Sequence, residues 1–197
     1  MKFLLLSCPF FDNQELSLLP LFFEQGLDTY HLRKPTFSST EMENYLKEIP
    51  HQYHQNIILH SHHCLVEKYQ LKGCHFTENN RKNMPTDFLK KPKYLYSTGF
   101  HTIEEALNHF FKWDYIFLSP IFNSISKKDY KSSFSLEELK VEGKQLFEKK
   151  MVIALGGIQK KHISLLKEIG FEGFAMIGTI WNSQNPLESF QDVITVE

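Results

Sequence analysis

Val152-Ile153-Ala154-Leu155-Gly156-Gly157-Ile158 is echoed by Gly173-Phe174-Ala175-Met176-Ile177-Gly178-Thr179, with a helix-like segment from Lys160 to Glu168 between them. Apolar runs without alternation suit strands buried on both faces, as in parallel sheets. Glycine at a strand end lets backbone N–H groups approach a ligand, and a helix N-terminus just beyond favours an anion. Two successive strand–glycine units near the C-terminus stand where a (β/α)8 barrel builds its phosphate site. The pair therefore points to a phosphorylated small molecule. Two tight βα turns without a ligand are the alternative.

The same alternation extends through the rest of the chain. Strands are expected at Phe3–Ser7, Thr29–Leu32, Asn56–His60, Gly73–Phe76, Tyr94–Ser97 and Tyr115–Leu118. Helices are expected from Asn13 to Gln25, His62 to Gln70, Ser135 to Lys149 and Pro186 to Val193. Ser39 is the expected N-cap of a helix after strand 2, and Thr102-Ile103-Glu104-Glu105 matches a capping box. The segment around Met84–Lys91 is barely helical in pattern. Eight strand–helix units without a linker predict a small, single-domain α/β fold over residues 1–197, a (β/α)8 TIM barrel. A doubly wound sheet fits less well, because the turn after strand 1, Cys8-Pro9-Phe10, has no glycine.

A net charge of −1 over 197 residues gives no electrostatic case for nucleic acid or an acidic membrane surface. Met1 to Cys8 superficially resembles a lipoprotein leader, but its apolar stretch falls short of the roughly 7–15 residues of an h-region. Cys8, Cys64 and Cys74 form no CxxC pair, which fits free thiols and a cytoplasmic location.

In a barrel, chemistry gathers at the C-terminal ends of the strands. Arg33 and Lys34 end strand 2, and an arginine there can grip a carboxylate or phosphate, a surface salt bridge being the alternative. The loop Ser119–Asp129 offers Ser124, Ser126, Lys127 and Lys128 to an anion. His60, His62, His63, Cys64, Cys74 and His75 tempt a zinc reading, yet their spacings match no structural zinc pattern, so no zinc is expected.

Five segments in register carry a resemblance. They are Arg33 within His31-Leu32-Arg33-Lys34-Pro35, Gly73–Phe76, Gly99–Glu105, Ser119–Phe122 with Lys127, and Ala154–Ile158. Together they resemble the thiamine phosphate synthase / thiazole tautomerase family over nearly the whole chain. The resemblance implies an enzyme of thiamine biosynthesis that binds a thiazole phosphate, with a homodimer as a further expectation. It places the phosphate on Gly156, Gly157, Ile177 and Gly178. Arg33, Ser124, Ser126 and Lys127 match residues that contact pyrophosphate in the synthases, and His101 lies at the catalytic histidine position, which synthases often share.

The chain departs from the synthase pattern where Mg²⁺ binds. His60-Ser61 replaces Asn-Asp after strand 3, and Asn79 stands at the second carboxylate position, with Glu78 one residue away. Pro35 replaces a lysine and Gly99 a serine. Mg²⁺ wants hard oxygen ligands, usually carboxylates beside phosphate. These losses resemble the tautomerase branch, which needs acid/base groups and no metal. A metal-independent tautomerase with His101 as acid/base and no cofactor is the leading expectation. A Mg²⁺-dependent synthase using Glu78, or a non-catalytic ligand binder, are the alternatives.

Overall fold

The computed structural model describes residues 1–10, 12–123 and 132–195. Eight parallel strands close in chain order: β1 (Lys2–Leu6), β2 (Thr29–Leu32), β3 (Ile57–Leu59), β4 (Gly73–Phe76), β5 (Leu95–Phe100), β6 (Tyr115–Leu118), β7 (Val152–Leu155) and β8 (Gly173–Met176). Closure is made by β1 and β8, with Leu4 opposite Ala175 and Leu5 opposite Met176. The fold is the expected (β/α)8 barrel. Among the described residues, no helix is long and apolar enough to cross a membrane.

Successive side chains on a strand face opposite ways, so each buried strand feeds two cores. Inside the barrel lie Leu4, Leu6, Tyr115, Phe117, Ile153 and Ala175. The intervening positions, among them Leu5, Tyr30, Leu59 and Phe174, pack outward against the helices. That double burial is why the strands read as apolar runs.

The helices follow in order: α1 (Asn13–Glu24), α2 (Ser39–Glu48), α3 (Cys64–Lys68), α4 (Glu78–Lys82), α5 (Ile103–Asn108), α6 (Leu136–Val141), α7 (Lys144–Lys149), α8 (Ile163–Ile169), α9 (Gly178–Trp181) and α10 (Pro186–Ile194). Three differ instructively from expectation. Ser38, not Ser39, caps α2, because only Ser38 has a glutamate at N3, and Glu41 returns the bond to the Ser38 N–H at 2.7 Å. Thr102 caps α5 by accepting from the Glu105 N–H, but the Glu105 carboxylate goes to Arg81 instead of closing the box. The continuous helix expected from Ser135 to Lys149 is two. It breaks at Gly143, a poor helix former whose N–H reaches back to the Glu138 carbonyl at 3.2 Å. Strand β5 also runs three residues beyond the expected Ser97.

Lys34 is not a surface cation. Its side chain and that of Glu15 are both wholly buried and paired. The ammonium also donates to the carbonyls of Cys8 (2.8 Å) and Phe10 (2.6 Å), and the Glu15 carboxylate accepts from Tyr30 Oη and from the Cys8 N–H. The pair fastens the β1–α1 loop to β2. Removing one partner of a buried pair strands the other charge. Lys34→Met should therefore lower unfolding stability by about 3–5 kcal/mol. The double substitution Lys34→Met/Glu15→Gln should recover a large part of that loss in urea titrations with unchanged slope.

Candidate active site

The turns after β7 and β8 form one wall of the barrel mouth. Gly156 and Gly157 have φ of +96° and +64°, a region that side-chain-bearing residues rarely adopt. The segment after β6 explains the glycines. A Cβ on Gly156 would stand 2.9 Å from Pro120 Cα, and one on Gly157 2.3 Å from the Asn123 carbonyl oxygen. The Ile121 and Phe122 N–H groups donate to the carbonyls of Leu155 and Gly156, both at 3.0 Å, and the Phe122 ring stacks on His162 at 3.8 Å. Thr179 ties the second turn to the first, donating its hydroxyl to the Ile158 carbonyl at 2.6 Å. Gly156, Gly157, Ile177 and Gly178 thus converge in one half-buried patch.

His101 directly follows β5, with its ring exposed. Its Nδ1 lies 2.7 Å from the Ser119 carbonyl oxygen. A carbonyl only accepts, so Nδ1 carries a proton and Nε2 is the nitrogen left to meet a ligand. Ser119 precedes Pro120, so the strap that crosses the glycine turn also holds the histidine. From below, Arg81 donates to the Gly99 carbonyl at 2.7 Å, pairs with Glu105 at 2.5 Å and lies over the Phe100 ring. The sequence did not single out Arg81. It fixes both ends of the turn that presents His101.

Across the mouth, Arg33 is exposed, and its backbone is gripped twice by Ser7, whose hydroxyl donates to the Arg33 carbonyl and accepts from its N–H, both at 2.8 Å. Ser124, Ser126, Lys127 and Lys128 lie outside the described residues. The positions that would hold Mg²⁺ carry no free carboxylate. Ser61 is uncharged and half-buried. The exposed Asn79 side chain accepts from Asn83 Nδ2 at 3.1 Å, and Glu78 pairs with Lys82 at 2.5 Å one turn away. Such a donor set does not fit Mg²⁺.

Beneath the mouth the barrel interior is polar on one side. His31 on β2, His60 after β3 and His75 on β4 are buried, with ligating atoms all within 4.8 Å of one another. His31 Nδ1 lies 2.9 Å from His60 Nε2, and the His60 and His75 rings stack at 4.1 Å. Tyr115 Oη meets His31 Nε2 at 2.8 Å and Ser97 Oγ meets His75 Nδ1 at 2.9 Å. Desolvation pushes all three imidazoles below the ordinary value, His75 to about 3. Neighbouring charge adds to this, from His75 and Lys72 on His31, from His75, His31, Arg33 and His63 on His60, and from His63, Arg33 and Arg81 on His75. His31 escaped the sequence reading because it lies 29 residues before His60. Period-two counting along β2, which puts Thr29 and His31 on one face, is the signal that could have found it.

The glycine turns after β7 and β8 and the histidine after β5 stand at the C-terminal end of a closed (β/α)8 barrel, the face on which such barrels carry their active sites. The chain belongs to the thiamine monophosphate synthase family, whose model matches residues 7–180. It is 24% identical over 148 residues to a thiamine-phosphate synthase of Bacteroides thetaiotaomicron, spanning 72% of this chain and 69% of the relative. It is 27% identical over 175 residues to that of Clostridium tetani, spanning 85% of this chain and 81% of the relative. The crystal structure of thiamine phosphate pyrophosphorylase from Bacteroides thetaiotaomicron superposes with a TM-score of 0.81 at 32% identity, covering 98% of this chain and 96% of that one.

Two outcomes test this geometry. Gly157→Ala should cost about 1–3 kcal/mol, because the strained φ is compounded by the Asn123 carbonyl. Hydrogen exchange should then rise at Ile121 and Phe122, the strap's donors. For acid stability, depressed histidines mean that the unfolded chain binds protons which the native state refuses. Stability is therefore full above the ordinary histidine value of 6.5 and falls as pH drops from there towards about 3, the level reached by His75. The loss amounts to at most ~1.4 kcal/mol per pH unit for each histidine. Chelator-treated protein should show this slope in urea titrations from pH 7 to 4, and His75→Gln should make it shallower.

Proposed function

We propose that this chain is a thiazole tautomerase that works without Mg²⁺. It would bind a thiazole carboxylate phosphate and aromatise the ring by moving one proton. The observation that carries this reading is His101, with Nδ1–H committed to Ser119, which leaves Nε2 of an exposed ring to exchange a proton with a ligand. In the reaction Nε2 takes a proton from a ring carbon, and the bonding pair enters the conjugated system. The imidazolium then returns the proton to another carbon of that system, so no atom is gained or lost. Imidazole suits both halves near neutral pH.

The remaining residues position the substrate. The phosphate rests on the backbone N–H groups of Gly156, Gly157, Ile177 and Gly178, where glycine allows close approach. Arg33 and Lys127 balance the substrate's carboxylate and phosphate charge. The absence of carboxylates at Ser61 and Asn79 supports proton transfer over a reaction that must neutralise departing pyrophosphate.

A second reading is supported by the names of the relatives: synthesis of thiamine phosphate from a pyrimidine pyrophosphate and thiazole phosphate. Two assays on one preparation separate the readings. Tautomerisation should proceed in chelator, and His101→Ala should lower kcat by about 100-fold or more with an unchanged melting temperature. Equal rates for the two proteins would remove His101 from catalysis. Mg²⁺-dependent thiamine phosphate formation without tautomerisation would establish the synthase. Tight thiazole phosphate binding with neither turnover would establish a binding protein.

A further inference from the structure

We propose that the barrel interior is a transition-metal site, with His31, His60 and His75 as three nitrogen ligands for Zn²⁺ or a similar borderline ion. It is distinct from the Mg²⁺ positions at Ser61 and Asn79, and it stands whether or not the proposed reaction is correct.

Three neighbouring strands aim these rings at one point. His31 pairs with Ile58 across β2 and β3, so His60, two residues beyond Ile58, returns to the same inward face one step higher. His75, on the next strand, pairs with Ser97. Tetrahedral zinc with Zn–N bonds of about 2.0–2.1 Å needs nitrogens about 3.3 Å apart. The 2.9 Å between His31 Nδ1 and His60 Nε2 would open by a few tenths of an ångström, and His75 would close in from within 4.8 Å.

The outer nitrogens of His31 and His75 are already engaged in the way that ligating histidines require. A metal-bound imidazole donates its second N–H to an oxygen that fixes tautomer and ring orientation. Tyr115 Oη holds Nε2 of His31 and so leaves Nδ1 to ligate, while Ser97 Oγ holds Nδ1 of His75 and leaves Nε2. A network that only filled the core would not need both partners on the nitrogens that face away from the common centre.

Donor chemistry selects the ion. Three imidazoles without a carboxylate are poor partners for Mg²⁺ or Ca²⁺ and good ones for zinc, cobalt, nickel or copper. Three protein ligands also leave a fourth position open, the pattern of reactive rather than purely structural zinc sites.

Co²⁺ and Zn²⁺ titrations of the full chain after chelation test the assignment. Co²⁺ should produce the visible bands of tetrahedral nitrogen coordination at one equivalent per chain, and one equivalent of Zn²⁺ should abolish them. His31→Gln and His75→Gln should lose the bands, whereas His51→Gln on the outer surface should keep them. Should the histidine variants misfold, Tyr115→Phe keeps every ligand and should weaken Co²⁺ about 10- to 100-fold. Folded wild-type protein without stoichiometric binding, or unchanged affinity in His31→Gln or in Tyr115→Phe, would overturn the site.

Discussion

Pro120 passes so close to Gly156 that a methyl group there would stand 2.9 Å from its Cα. Much of the mouth depends on that crossing. The strap from Ser119 to Phe122 bonds to the end of β7 through two backbone donors, which forces the glycine turn into positive φ. The same strap offers the Ser119 carbonyl to His101. One segment of backbone therefore sets the distance between the free imidazole nitrogen and the glycine cup. Thr179 then carries the arrangement to β8. A substrate that bridges cup and histidine meets parts whose spacing is fixed before it arrives, which is where preorganised catalysis gains most.

The barrel interior is divided in a way that matters for chemistry. From β6 through β8 to β1 it is filled by Leu4, Leu6, Phe117, Ile153 and Ala175, whereas β2 to β5 contribute three histidines and Ser97. Buried polar groups are costly unless paired, and Tyr115 is the joint, its ring in the apolar half and its hydroxyl on His31. The Lys34–Glu15 pair obeys the same rule outside the barrel, with both charges spent on holding the β1–α1 loop. Of the two basic residues that end β2, only Arg33 is therefore left to face a substrate.

The strands were legible because burial on both faces leaves an apolar run, and all eight lie within a residue or two of their expected bounds except at the end of β5. Helix ends were less legible, because a cap is a competition between neighbours. Ser38 beats Ser39 through Glu41, and Glu105 leaves Thr102 for Arg81. The glycines of the mouth were visible, but their cause was not. A ligand and a crossing strap both demand glycine, and the strap lies more than thirty residues upstream. His31 was hidden for a similar reason, since spacing rules for metal ligands assume a local motif, whereas a barrel assembles ligands from separate strands.

Two of the three buried histidines, His60 after β3 and His75 on β4, lie close in sequence to the positions considered for Mg²⁺. Ser61 and His60 are adjacent in sequence, and Glu78 and Asn79 follow His75 by three and four residues. Because strand side chains alternate, moving one residue along β3 exchanges the barrel interior for the loop above it. Position 61 and position 60 are therefore different places with different neighbours, the first half-buried at the mouth, the second against His31 and His75, which in turn meet Phe117. An ion held by the imidazoles would sit too deep to neutralise pyrophosphate in the mouth. The lack of carboxylates at Ser61 and Asn79 and the buried imidazoles of His31, His60 and His75 thus bear on different steps, the first on the proposed independence from Mg²⁺ and the second on the proposed nitrogen site.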